Sequence, residues 1–155
     1  MEDNVVFYKG RALITRPGAE ERIGEIEGLA EEIKSTFACT LHSIEDPGTL
    51  DGGDVLKIGD LILVGISSRT NEYGFLQLKR FFEQAGAQVE QIPVSNKLHL
   101  KSIITALPDE TILYHKDCLP DDTLEALERL DLSLMEVPDE KGVNVIVLGE
   151  NTVMV

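Results

Sequence analysis

One pattern recurs along the chain: an apolar run, a short turn and a second apolar run. It stands in NVVFYKGRALIT from Asn4, in DVLKIGDLILV from Asp54 and in NVIVLGENTVMV from Asn144. A looser copy, KLHLKSIITALPDETILYH from Lys97, turns on Pro-Asp-Glu. In the other three the turn holds a glycine, which accepts the positive φ of a tight hairpin at no steric cost. The four starts are 50, 43 and 47 residues apart. A near-constant period with drifting sequence predicts a repeat architecture, in which each unit buries its apolar face on a neighbour.

The segments between the hairpins also correspond. PGAEERIGEIEGLAEEIKSTF places Ile23, Ile26, Leu29, Ala30 and Ile33 on one helical stripe. TNEYGFLQLKRFFEQAG does the same with Phe75, Leu78, Phe81 and Phe82, opened by Thr70 or Asn71 and closed by Gly86. LPDDTLEALERLD carries aspartate caps and Leu124, Leu127 and Leu130. One more strand follows each helix: CTLHSI, AQVEQIPV and LSLMEVP. The predicted class is α/β, built from ββαβ units at about 4–47, 48–95, 96–139 and a truncated 140–155, within one domain over 1–155. The chain holds three such units and the hairpin of a fourth, and its ends carry no polar cap. A closed radial array must contain all its units, so the expectation is an incomplete ring-like fold. The rival is a complete open array or an assembly of short chains. Exposed apolar edges, with Val153, Met154 and Val155 at one of them, predict self-association.

Charge narrows the partners. The net charge is -14 and the sequence pI about 4.5. Nucleic acid and anionic membrane both demand clustered Lys and Arg, so neither is expected. The charge fits a protein that handles small, cationic ligands, although most acidic proteins are simply well solvated. No apolar run reaches the ~20 residues of a membrane span, and MEDNVV lacks the basic and apolar regions of a signal peptide. Cys39 and Cys118 make no disulfide framework, and a reducing cytoplasm is the expected compartment. The chain has no P-loop, no G-x-G-x-x-G and no C-x-x-C, and no cofactor is expected. HKDC at 115–118 supplies too few ligands for zinc. Asp46, Asp51 and Asp54 lack EF-hand spacing and read as turn and cap carboxylates.

His99 lies between leucines in KLHLKS. Such a histidine is ordinarily packed or on the surface. Its position in the repeat is what singles it out. The hairpin starts of a radial array converge on the axis, so Glu2, Asp3, Asp51, Asp54 and His99 are candidates to face one another. A carboxylate beside a histidine fixes its tautomer and supports its imidazolium, as general acid–base chemistry requires. Arg16 and Arg69 share a second position: LITRPGA and ISSRTNE each place an arginine between a hairpin and a helix. Two arginines there can clamp a carboxylate, although the plainer reading is two surface arginines flanking helices.

MEDNVVF, ALITRPGAEERIGE, PGTLDGGDVL, SSRTNEYG and LHLKS together resemble the dimethylarginine dimethylaminohydrolase family, in this order and at family-like spacing. The resemblance runs over the whole chain and covers only the central portion of the family. It implies the pentein α/β-propeller, five ββαβ modules in a ring, of which this chain holds about three and a half. It also implies hydrolysis of methylated arginines to citrulline and an alkylamine through a covalent thiouronium intermediate. His99 matches the family's catalytic histidine, which protonates the leaving amine and then activates water. Asp51 matches the carboxylate that orients it. Asp3, with Glu2 beside it, matches the acids at the substrate site, and Arg16 and Arg69 match the arginines that hold the substrate's amino-acid end. Asp54 and the two glycines look like the scaffold of the motif. No metal is implied.

The family's nucleophile is a cysteine in a glycine-rich segment near its C-terminus, and neither Cys39 nor Cys118 matches it. The expectation is a chain that carries the acid–base pair and the substrate clamp and is inactive alone. Two alternatives stay open: a deiminase or amidinotransferase relative, and a noncatalytic guanidine-binding or assembly module.

Overall fold

The computed structural model describes residues 3–143, 145–149 and 152–154, with backbone only for 146–149 and 152–154. Glu2 and Val155 lie outside the described residues, as do the side chains of Val153 and Met154.

The first sheet joins β1 (Val5–Tyr8), β2 (Arg11–Ile14) and β3 (Thr40–Ser43). The second joins β4 (Val55–Ile58), β5 (Leu61–Ile66) and β6 (Gln88–Pro93). The third joins β7 (Ile104–Ala106), β8 (Ile112–Tyr114) and β9 (Leu134–Glu136). In each sheet the hairpin strands are antiparallel and the third strand lies parallel to the second. A parallel return needs a crossover connection, and the crossovers contain α1 (Leu29–Thr36), α2 (Glu72–Glu83) and α3 (Asp121–Arg129). A last hairpin pairs β10 (Ile146–Gly149) with β11 (Thr152–Met154). Among the described residues no helix is long and apolar enough to cross a membrane.

The two larger cores lie between successive sheets. Phe75, Leu78 and Phe82 of α2 pack with Val6 and Leu13 of the first sheet and with Ile62 and Val64 of the second. Leu127 of α3 joins Leu63 and Ile92 of the second sheet to Ile104 and Ile112 of the third. α2 and α3 therefore each seal a junction between two sheets, while α1 packs Ile33 on the first sheet, and burying one such leucine is worth ~2 kcal/mol. Asn71, not Thr70, caps α2: its Oδ1 accepts from Gly74 N at 2.9 Å. Thr70 is held elsewhere, as described below. The cap residue of α3 is Pro120, and Asp121 and Asp122 occupy its first turn, where carboxylates complement the helix dipole.

The connection from β2 to β3 departs from the single helix that periodicity predicts. Residues Glu20–Ile26 wind as a 3-10 helix, and α1 begins only at Leu29. Gly28 between them has φ 75°, a left-handed value that stops regular winding. Of the predicted stripe, Ile33 is buried, and Ile26, Leu29 and Ala30 pack on the same cluster.

Candidate active site

The segment Asp51–Asp54 runs from β3 into β4, and its last three residues form a 3-10 turn. Its two aspartates do different work. Asp54 is fully buried, and its Oδ2 accepts from Ser67 Oγ at 2.7 Å and Thr70 Oγ1 at 2.6 Å. Its Oδ1 accepts from the backbone N–H of Leu100 at 2.9 Å. Burial pushes its pKa up, and the donors from Thr70, Ser67 and Leu100, with nearby His99, pull it back. One carboxylate thus ties the loop carrying Arg69 to the segment carrying His99. Ser67 Oγ in turn accepts from Arg69 N at 3.0 Å. Gly18 supports the same loop, because a Cβ there would lie 2.3 Å from the carbonyl oxygen of Arg69.

Asp51 is 1% exposed. Its Oδ1 accepts from Gly18 N at 2.9 Å, and its Oδ2 lies 3.0 Å from His99 Nε2. Its backbone N–H donates to Thr70 Oγ1 at 3.1 Å, so one hydroxyl links both aspartates. A carboxylate only accepts, which assigns the proton to Nε2 and leaves Nδ1 as the basic nitrogen. Gly53 makes room for this ring: a Cβ there would meet His99 Cγ at 2.8 Å and Nδ1 at 3.0 Å. The backbone carbonyl of Asp3 accepts from Gly52 N at 2.9 Å and from Thr15 Oγ1 at 2.8 Å, which brings the start of β1 to the same turn.

The arginine that reaches this cluster is Arg22. Its Nη1 is 3.3 Å from Asp51 Oδ2, and its Nη2 is 3.4 Å from Asp3 Oδ2. Its Nε and Nη2 donate to the two oxygens of Glu25, each at 3.0 Å. That pairing, more than any other contact, holds Glu25 below the usual carboxylate range and Arg22 above its ordinary value. Arg16, expected beside the substrate, turns away: its Nη2 pairs with Asp46 at 2.9 Å and its Nη1 donates to Gly48 O at 3.3 Å. The reason is local. The backbone of Arg16 is bridged to Leu50, which aims its side chain along the Asp46–Gly48 turn. The guanidinium of Arg69 has no hydrogen-bond or ion-pair partner among the described residues. Nothing in the apolar stripe singled out Arg22 or Glu25, although both lie on its flank.

The cysteines lie elsewhere. Cys39 packs with the Val5, Ala12, Ile14 and Ile33 cluster. Cys118 Sγ is 3.7 Å from Glu140 Oε2.

A homologue from Streptomyces coelicolor, named N(G),N(G)-dimethylarginine dimethylaminohydrolase, is 48% identical over 149 residues. One of the same name from Pseudomonas aeruginosa is 31% identical over 156 residues. The chain is a homologue of the dimethylarginine dimethylaminohydrolases. The alignments cover 96% and 99% of this chain but 55% and 59% of those relatives, so the chain spans just over half their length. The dimethylarginine dimethylaminohydrolase fold is matched as closely: a Pseudomonas aeruginosa cysteine-to-serine mutant complexed with citrulline superposes with TM-score 0.84 at 31% identity, over 98% of this chain and 58% of that one. An amidinotransferase from Microseira wollei shares the fold at TM-score 0.78 and 17% identity, over 98% of this chain and 56% of that one. No protein-family model matches the chain.

Proposed function

We propose that this chain carries the acid–base pair and the substrate clamp of a hydrolase that converts methylated arginines to citrulline and an alkylamine. The observation that carries the reading is the buried Asp51 carboxylate 3.0 Å from His99 Nε2, with Asp3 joined to the same cluster through Arg22. Asp3 pairs with the substrate guanidinium, and Arg22 and Arg69 take its carboxylate, Arg22 replacing Arg16 in that role. The three sheets and the last hairpin are consecutive modules of an α/β-propeller, about three and a half of five.

The chemistry follows from the charges. A thiolate adds to the guanidinium carbon, and the C–N bond to the alkylamine breaks as His99 gives that nitrogen a proton. His99, now neutral, takes a proton from water. The hydroxide adds to the thiouronium carbon, and the C–S bond breaks to leave citrulline and the thiol. Asp51 offsets the imidazolium charge in each half. Neither Cys39 nor Cys118 contacts this cluster, so the 155-residue chain by itself supplies no attacking thiol.

Two measurements test this. Citrulline release from dimethylarginine should be absent for the chain alone, and turnover lost in Cys39→Ser or Cys118→Ser would reveal a nucleophile in this chain. Titrating dimethylarginine into the 15N-labelled protein should shift the amides of Asp3, Gly52, Gly53 and His99, and Asp3→Asn should abolish the shifts. Shifts confined to other regions would remove the assignment.

A further inference from the structure

We propose that Glu25 is a positioning residue, which locks the Arg22 guanidinium so that its Nη1–Nη2 edge faces the ligand's carboxylate. This rests on the reading that the cleft takes an amino-acid ligand. Three observations support it. The Arg22–Glu25 pairing is bidentate, with both contacts at 3.0 Å, and it uses the Nε–Nη2 edge. Fork-to-fork pairing of this kind fixes a guanidinium plane, not merely its charge. The inward contacts to Asp51 and Asp3, at 3.3 and 3.4 Å, are longer than the pair with Glu25, so the Nη1–Nη2 edge is the more loosely held of the two. Glu25 is itself tethered, since Asn4 Nδ2 donates to its Oε2 at 3.3 Å from the residue beside Asp3.

The winding of the segment gives the arrangement a reason. Residues three apart eclipse on a 3-10 helix, so Arg22 and Glu25 sit one above the other. A surface ion pair of this kind adds little to stability, which leaves geometry as its main effect. The plain alternative is a surface ion pair with no bearing on the cleft.

The test compares the wild type, Glu25→Gln and Glu25→Asp. In the 15N-labelled protein the Nε–H of Arg22 should exchange slowly with solvent, and about tenfold faster in Glu25→Gln. Binding of L-citrulline should weaken about tenfold in Glu25→Gln, while binding of butylurea, which keeps the urea and lacks the carboxylate, should not change. Glu25→Asp, with the charge on a shorter arm, should fall between. Unchanged exchange of the Arg22 Nε–H overturns the proposal. So does an equal loss for citrulline and butylurea, which would mean general damage to the cleft. Failure of citrulline to bind the wild type would count against the amino-acid ligand itself, and the exchange measurement would still decide whether Glu25 sets Arg22.

Discussion

The imidazole of His99 fills the space that a side chain on Gly53 would need: a Cβ there would lie 2.8 Å from the ring's Cγ. Gly53→Ala must therefore push the ring off Asp51 or move the backbone of the turn. Overpacking of this kind costs ~1–3 kcal/mol. Urea unfolding should show that loss, and the NMR contact between the ring and the Asp51–Gly53 turn should weaken. Retained stability with an unmoved ring would contradict the packing described here.

Thr70 donates to Asp54 and accepts from the backbone of Asp51, both from a fully buried hydroxyl. Thr70→Val keeps the shape and removes both hydrogen bonds, leaving a buried N–H and a buried carboxylate short of a partner. The expected loss is ~2–4 kcal/mol, read as a lower denaturant midpoint with an unchanged slope. A loss below ~0.5 kcal/mol, the level of an ordinary surface substitution, would mean that the hydroxyl does not link the two aspartates.

Asp54 makes stability depend on pH in a direction opposite to most carboxylates. Its pKa is raised in the folded state, chiefly by burial. The folded chain then binds its proton more tightly than the unfolded chain, so its contribution is greatest below the ordinary carboxylate value of ~3.9 and is lost as pH rises through the folded value. The stability of the wild type minus that of Asp54→Asn should fall across that window and level off above it. Glu25 and Asp60, whose pKa values are lowered by Arg22 and Lys9, slope the other way and cancel in the difference. A difference curve that rises with pH would reverse the assignment.

Asn71 ties the start of α2 to the Pro47–Thr49 turn. Its Oδ1 accepts from Gly74 N at 2.9 Å and Thr49 N at 3.0 Å, and its Nδ2 donates to Pro47 O at 2.8 Å. Asn71→Ala should cost ~2 kcal/mol, at the upper end for a helix cap, because the loop leading to Asp51 loses its anchor as well. Thermal unfolding checks the size. Faster amide exchange at Thr49 as well as Gly74 would separate this joint role from a simple cap.

Much of the fold was legible in the sequence because its signals are local. A strand pattern shows when one face is buried, and Val55, Leu56 and Ile58 are buried around an exposed Lys57. A helical stripe shows for the same reason, and Phe75, Leu78, Phe81 and Phe82 are all buried on α2. The stripe across Ile23–Ile33 was legible too, but not the break within it. Apolar spacing is nearly the same for a 3-10 turn followed by an α-helix as for one helix, and only Gly28 carried a trace of the difference. The pattern also marked the mouths of the hairpins without saying which side chains meet there.

Two arginines show where sequence stops. Arg16 stands at the expected position, between hairpin and helix, and pairs with Asp46. Arg22, six residues on, lies against Asp51 and Asp3. Sequence by itself determined the alternation of strands and helices, the turns and the acidic balance, because these depend on neighbours three or four residues away. Tertiary structure alone decided that Asp51 meets His99 across 48 residues, that Gly53 leaves room for the ring, and that Arg22 rather than Arg16 faces the carboxylates. The physical reason is that these contacts depend on how separate segments pack, and a side chain's direction at the end of a strand follows from its backbone bridge and winding, which no periodicity records.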